Sequence, residues 1–451
     1  MKIVIVGGGK VGNAICRELE EYCDIVLIDI DPNVVEMLFS QYDIQAVVGN
    51  GADVNIQKEA TVEDADIFLA VTTSDELNMV SCIVAKELGV KHIIARVRNP
   101  EYRNSVDFIK SRLGITAMIN PEEEAAKKIS QILQFPTAIG VETFAEEKVH
   151  MVSVLIEENT FLKDVTLKEF DESFDGKLLI CIVERDGEAF IPKGATRILE
   201  GDIVHLTGSH DDLNKFYRNF KEFNSPIDST LIIGGGKMGY YLLRELTNKK
   251  MEIKLIEIKP ETTEFLSETF PDISVIHADG TDQDILDSEG ISAYDSCIAL
   301  TGIDEENIII SIFSKYRNVR KSIAKVNRTS MLKLIGHTEL DTIITPQRII
   351  ADKIVRFVRS LNATGDTAIE NLHTLADHKV EALEFIANEH SKGIGIPLME
   401  LELLDNTMVA FIFRDGELLF PSGKDSILAG DRVVIVTTHN NIDELDDLLV
   451  K

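Results

Sequence analysis

The chain has 451 residues, enough for roughly three or four ordinary domains. Hydrophobic residues make up 44% and charged residues 27%, tryptophan is absent, and the formal net charge is −30. Such a surface repels nucleic-acid phosphates at long range and argues against nucleic acid as the main partner.

A partner with a basic face suits that charge, and the cytoplasmic loops of membrane proteins are one example. The opening MKIVIVGGGKVG begins directly on a strand, so no signal peptide is expected. The longest apolar runs, such as Ile308 to Phe313, are too short to span a bilayer. The cysteines Cys16, Cys23, Cys82, Cys181 and Cys297 are odd in number and form no CxxC pair, which argues against disulfides or zinc and for a reducing cytosol.

Apolar strands are predicted near 2–6, 25–29, 45–48, 67–71, 93–97 and 115–119. Helical patterns such as Val11 to Glu20 and Glu76 to Leu88 lie between them. Apolar strands alternating with helices predict a doubly wound parallel sheet covered on both faces, here over 1–120. A helix follows over 121–139. Asn120 suits its N-cap, Pro121 its first position, and Glu122 to Glu124 the positive end of its dipole. Ala125, Ala126, Ile129, Ile132 and Leu133 form its apolar stripe, and Pro136 ends it. Over 140–222 a small α+β unit is expected. Its strands are Val152 to Ile156, Leu178 to Val183 and Ile203 to Leu206, with a hairpin turn at Asp186-Gly187.

The same plan then repeats roughly 225–231 residues later. Gly7-Gly8-Gly9-Lys10-Val11-Gly12 returns as Gly234-Gly235-Gly236-Lys237-Met238-Gly239. Leu27-Ile28-Asp29 returns as Leu255-Ile256-Glu257, and Asn50-Gly51 as Asp279-Gly280. Asp75-Glu76 with Asn78 returns as Asp304-Glu305 with Asn307, and Asp186-Gly187 as Asp415-Gly416. The predicted fold class is therefore α/β, a tandem duplication. Two Rossmann-like domains, 1–120 and 228–345, are each followed by a helix, 121–139 and 346–367, and a small α+β domain, 140–222 and 368–451. The second helix starts at Thr345-Pro346 and carries Ile350, Ile354, Phe357, Val358 and Leu361. The two stripes serve either the local core or a contact between subunits.

Each glycine loop follows a strand and opens a helix. The first glycine permits the turn, the second lets a pyrophosphate approach the backbone, and the third lets helix and strand pack. The helix start then offers free N–H groups to phosphate. Asp29 and Glu257 follow about 20 residues on, where an acid accepts from ribose hydroxyls and repels a 2′-phosphate, favouring NAD over NADP. Lys10 and Lys237 either favour ADP or ATP or are simply solvated. Asn50 and Asp279 follow the third strands, and Thr72, Thr73 and Thr301 the fourth, facing the same crevice. Arg96 and Arg98 flank the end of strand five, where they reach a phosphate or pair with carboxylates. No histidine stands in a catalytic motif; His92 and His277 have no counterpart in the other copy.

GGGKVG, LID, AVTTSDELNMVSCIVAK (70–86) and ARVRNPEY (95–102) resemble the RCK/KTN nucleotide-binding family, the regulatory domains of potassium channels and transporters. Two such domains, each followed by an RCK-C unit, resemble the regulatory subunits of Trk-type potassium uptake systems over essentially the whole chain. The resemblance implies NAD(H) and ATP or ADP as ligands and a homo-oligomeric ring. It also implies a cytosolic subunit at the inner face of the membrane, beneath an integral-membrane potassium transporter of TrkH type. It places nucleotide contacts on Gly7 to Val11, Asp29, Thr72, Thr73 and Arg98. In the second copy they fall on Gly234, Gly236, Gly239, Glu257 and Thr301. There Arg98 is answered by Asn327 and Thr73 by Gly302. The expectation is a regulator without catalysis. Its rivals are an NAD-dependent oxidoreductase and a nucleotide-sensing regulator of another cation transporter.

Overall fold

A computed structural model describes residues 1–135, 138–145, 148–158, 160–218, 226–328, 340, 342–362, 369–376, 379–439 and 442–450. Compact packing groups the chain by equivalent parts of the two copies. One unit is Met1–Ser130 with Asp228–Val355, and the other is Gln131–Ile227 with Arg356–Lys451.

The first unit holds two six-stranded parallel sheets. In the first copy the strands are β1 (Lys2–Val6), β2 (Asp24–Asp29), β3 (Gln45–Val48), β4 (Ile67–Ala70), β5 (His92–Arg96) and β6 (Ala117–Ile119), in the order β3-β2-β1-β4-β5-β6. Strands β1 and β4 are almost wholly buried, which is why their sequences are apolar without alternation. Val6 pairs with Ile28 on one side and Ala70 on the other, so the strand order reverses at β1 and opens a crevice at the carboxyl ends of β1 and β4.

The small domain of the first copy belongs to the second unit. Its antiparallel strands are β7 (Ala138–Phe144), β8 (Val149–Leu155), β9 (Leu178–Arg185), β10 (Glu188–Phe190) and β11 (Ile203–Gly208), in the order β10-β9-β11-β8-β7. Strand β7 and the short β10 are additions to the sequence expectation. Gly140, Glu142 and Thr143 interrupt the apolar run of β7, and β10 has only three residues. The Asp-Gly hairpin forms, with φ of 53° at Asp186 and 77° at Gly187, the left-handed pair that matches strand twist.

The second copy repeats both sheets. In the first unit, β12 (Ser229–Ile233), β13 (Glu252–Glu257), β14 (Ser274–His277), β15 (Ser296–Ala299), β16 (Lys321–Lys325) and β17 (Thr342–Ile344) take the order β14-β13-β12-β15-β16-β17. In the second unit, β18 (Ile369–Leu375), β19 (Val380–Ile386), β20 (Thr407–Arg414), β21 (Glu417–Leu419) and β22 (Arg432–Thr437) take the order β18-β19-β22-β20-β21.

The two small domains share one core. Phe144 meets Phe411 edge to face at 5.8 Å and His373 at 4.8 Å, and Val380, Ala382 and Val434 close around them. Burying two phenylalanines contributes roughly 2–3 kcal/mol each. A carboxylate joins the same contact: Glu384, fully buried, accepts from Ala145 N at 3.2 Å and Asn371 Nδ2 at 2.7 Å.

The helix Pro121–Ile132 starts with the expected cap, Asn120 Oδ1 accepting from Glu123 N at 3.2 Å. Its stripe is buried at Ala125, Ala126, Ile129 and Ile132, and so is the adjoining Leu133. In the helix Pro346–Asn362, Ile350, Ile354 and Val358 are buried, while Phe357 and Leu361 are partly exposed. Most of both stripes is therefore buried. The expected stop at Pro136 lies outside the described residues. All five cysteines are buried, and burial raises each thiol above its usual range, Cys16 and Cys297 to about 12. No helix among the described residues is long and apolar enough to cross a membrane.

Candidate functional site

The loop between β1 and the helix Lys10–Leu19, with the helix's first turn, is shaped by four glycines with separate reasons. Gly7 has φ +105°, and a Cβ there would lie 2.9 Å from Thr72 N. A Cβ on Gly12 would lie 1.9 Å from the Gly7 carbonyl oxygen. Gly8 packs against Val34 and Leu38. Among the described residues a Cβ at Gly9 would meet nothing within 4 Å, and the helix start that Gly9 caps receives no side-chain hydrogen bond. Backbone N–H groups at such an open helix start are a ready cradle for an anion. The second loop repeats this. Gly234 has φ +107°, a Cβ on Gly239 would sit 2.4 Å from Gly234 O, and Gly236 is open.

The acids brace these loops. Asp29 Oδ2 accepts from Gly8 N at 2.6 Å and Oδ1 from Asp31 N at 2.9 Å. Glu257 does the same with Gly235 N at 2.6 Å and Lys259 N at 2.9 Å. Each carboxylate oxygen keeps a second lone pair for a ribose hydroxyl. Glu257 is only 7% exposed, whereas Asp29 lines an open cavity.

That cavity measures about 890 Å³ and lies in the first unit. Gly7, Gly9, Lys10, Val11 and Asp29 form one side of it. Asn50, Thr72, Thr73 and Arg98 continue the wall, and Gly236, Lys237 and Met238 come from the second copy. Gly8, Gly12, Gly234 and Gly239 are taken up by packing and are not among its lining residues, nor are Glu257, Asp279 and Thr301. Asp279 instead accepts from Thr281 N at 3.0 Å and Thr281 Oγ1 at 2.7 Å, bonds that hold its carboxyl below the usual range. Asn50 Oδ1 accepts from Ala52 N at 3.0 Å.

Residues beyond the expected set organise the wall. Asn78 Oδ1 accepts from Thr72 N at 2.9 Å and Thr72 Oγ1 at 2.7 Å, while its Nδ2 donates to Arg96 O at 2.9 Å. The ends of β4 and β5 are thereby tied together. Asn307 repeats this with Thr301 N at 2.7 Å and Lys325 O at 2.9 Å. The recurrence of Asn78 as Asn307 is visible in the sequence; its role is not. Asp75 Oδ2 accepts from Arg98 N at 2.9 Å and Asn99 N at 2.7 Å. Glu122, expected only to complement a helix dipole, lies 3.5 Å from both Arg96 Nη2 and Arg98 Nη1.

The lining carries five basic side chains, Lys10, Arg96, Arg98, Lys237 and Lys325, against three acids, Asp29, Asp31 and Glu122. This reverses the balance of a chain whose net charge is −30. Burial, above all, lowers Arg96 from the ordinary arginine value; Arg98 adds to it and Glu122 opposes it. Arg96 Nε and Arg98 Nε are buried without hydrogen-bond partners among the described residues, although Asp75 Oδ1 stands 3.8 Å from the latter. Incompletely satisfied guanidinium groups beside an open cradle are a place for an added anion.

The second copy departs where the sequence does. Asn327 Nδ2 donates to Asp304 Oδ1 at 2.8 Å instead of presenting a guanidinium. Lys325 stands in place of Arg96, donates to Leu300 O at 3.1 Å, and is lowered chiefly by burial.

The TrkA-N domain family matches residues 3–121 and 230–346, and the TrkA-C domain family residues 151–221 and 382–450. The chain is 29% identical to the Trk system potassium uptake protein TrkA homolog of Archaeoglobus fulgidus, covering 99% of this chain and 100% of that one. It is also 29% identical to the Trk system potassium uptake protein TrkA of Azorhizobium caulinodans, over 99% and 98%. Among solved structures it resembles the GsuK channel bound to NAD, with a TM-score of 0.63 and 17% identity over 97% of this chain and 76% of that chain. The GsuK RCK domain gives a TM-score of 0.63 and 16% identity over 96% and 92%. These two likenesses establish the fold. With both domain types present twice, in the order N–C–N–C, the chain belongs to the TrkA family.

Proposed function

We propose that the chain is a regulatory subunit that senses adenine nucleotides in the first cleft and gates potassium flux through an integral-membrane partner. The observation that carries this reading is the 890 Å³ cavity in which both glycine loops and five basic side chains meet. An NAD(H) pyrophosphate fits the open amides at Gly9 and the helix start, with Asp29 at a ribose and Arg98 at the phosphates. Lys237 of the second copy lines the same space, so a ligand with more phosphate charge, ATP or ADP, engages both loops differently from NADH. The names of the relatives and the NAD-bound GsuK channel of the same fold support the reading. The subunit works as a homo-oligomer at the inner face of the cell membrane, without catalysis.

A ligand shifts such a regulator only by its different affinity for two arrangements. A coupling of about 1–3 kcal/mol changes flux roughly 5- to 150-fold. The test has two parts. Calorimetry should show NADH, ADP or ATP binding to the purified chain. Rubidium uptake into vesicles containing the transporter should differ between these nucleotides only when the chain is present. Uptake indifferent to nucleotide, with the chain bound, would end the regulatory reading.

A further inference from the structure

The helix Lys237–Leu246 of the second copy presents one face to the first copy's site. Lys237 lines the cavity. One turn on, Tyr241, 2% exposed, donates its hydroxyl to the Arg98 carbonyl at 3.0 Å. Arg244 then pairs with Glu123 at 3.6 Å, and beyond the helix Lys249 Nζ donates to Ser130 Oγ at 2.7 Å. Positions 237, 241 and 244 share one helix face.

We infer that Tyr241 is a positioning residue for the first nucleotide site, holding the Arg98 main chain in place from the other copy. The inference rests on the proposed nucleotide reading and deepens it. Arg98 is pinned on both sides: its N–H donates to Asp75 and its carbonyl accepts from Tyr241. Its side chain is thereby aimed at the cavity from a fixed backbone, and it donates to Thr73 O at 2.5 Å. Burial pushes the tyrosine hydroxyl up to about 12, against the pull of the neighbouring Asn120 side chain, so it remains a donor at physiological pH.

The duplication supplies an internal control. Asn327 is the counterpart of Arg98, and its carbonyl accepts from Gln347 Nε2 of its own copy. The position equivalent to Gln347 is Glu122, whose carboxylate has no N–H to donate. The position equivalent to Tyr241 is Ala14, which has no hydroxyl. The two exchanges match. Where the first copy has Glu122 in place of the amide donor, the other copy supplies a hydroxyl, so the Arg98 carbonyl is tied to the helix that carries Lys237 while the Asn327 carbonyl is held from within its own copy.

The experiment measures NADH affinity by calorimetry and the ligand-free thermal midpoint for four full-length proteins: wild type, Tyr241→Phe, Glu122→Gln and the double variant. Tyr241→Phe keeps the ring and should weaken NADH three- to tenfold while moving the midpoint little. Glu122→Gln restores a local donor, as Gln347 does in the second copy. It should therefore raise affinity by a larger factor when combined with Tyr241→Phe than when introduced into the wild type. Unchanged affinity in Tyr241→Phe, or equal effects of Glu122→Gln with and without it, overturns the role of Tyr241 alone. A wild type that binds no NADH, ADP or ATP overturns the nucleotide reading and this inference with it.

Discussion

Gly8 donates its backbone N–H to Asp29 Oδ2 at 2.6 Å, so the acid at the end of β2 shapes the loop at the end of β1. The second copy has the same bond between Gly235 and Glu257, with the carboxylate more deeply buried. Removing either acid leaves backbone donors without acceptors, at a cost of about 1–3 kcal/mol. Asp29→Ala should therefore lower NADH affinity at least tenfold with a modest loss of stability. Glu257→Ala should cost more stability and change NADH affinity little. Calorimetry and thermal unfolding monitored by circular dichroism separate the two outcomes, and equal effects of both variants on NADH would contradict a dominant first site.

The glycines of one loop should respond oppositely to alanine. Gly9→Ala places a methyl where nothing stands within 4 Å, so the apo protein should keep its thermal midpoint and lose nucleotide affinity. Gly12→Ala drives a methyl into the Gly7 carbonyl and should destabilise the first Rossmann domain by about 2 kcal/mol or more. Nucleotide binding unaltered in Gly9→Ala would place the phosphates elsewhere.

His150 provides a pH test in the second unit. Burial, reinforced by His210, lowers it to about 4, and its Nδ1 has no hydrogen-bond partner among the described residues. Above pH 6.5 the ring is neutral in both folded and unfolded chains. Below it the unfolded chain takes up a proton that the folded chain refuses, so stability falls from pH 6.5 toward 4. The loss is on the order of 2 kcal/mol. His150→Phe keeps a ring beside Phe135 and should flatten this part of the stability–pH curve. A variant as acid-sensitive as wild type between about pH 6.5 and pH 5 would assign the effect to other groups.

Glu384 ties the two small domains together from a fully buried position. Glu384→Ala strips Ala145 N and Asn371 of their acceptor and should cost about 2–4 kcal/mol in chemical denaturation. A loss below about 0.5 kcal/mol would show that the shared Phe144–Phe411 core holds the domains by itself.

Much of this architecture is local information. Apolar runs such as Ile3 to Val6 reveal buried parallel strands because no face of them meets water. Gly7 and Gly12, and the turn at Asp186-Gly187, are legible because a backbone angle or a steric limit admits few other residues. The recurrence of these landmarks exposes the duplication. By contrast, β7 is obscured because Gly140, Glu142 and Thr143 break its apolar pattern, and β10 is too short to show one. The site is divided in the same way. Strand, glycine loop and acid are neighbours along the chain or one unit of the fold apart, so their types and spacing mark the crevice. Only the tertiary structure decides that Lys237 shares a cavity with Lys10, that Glu122 stands between Arg96 and Arg98, and that Tyr241 holds a carbonyl 143 residues away. Those relationships arise when the two copies pack together, and a contact between surfaces far apart in sequence leaves no periodicity or spacing within either copy by which to read it.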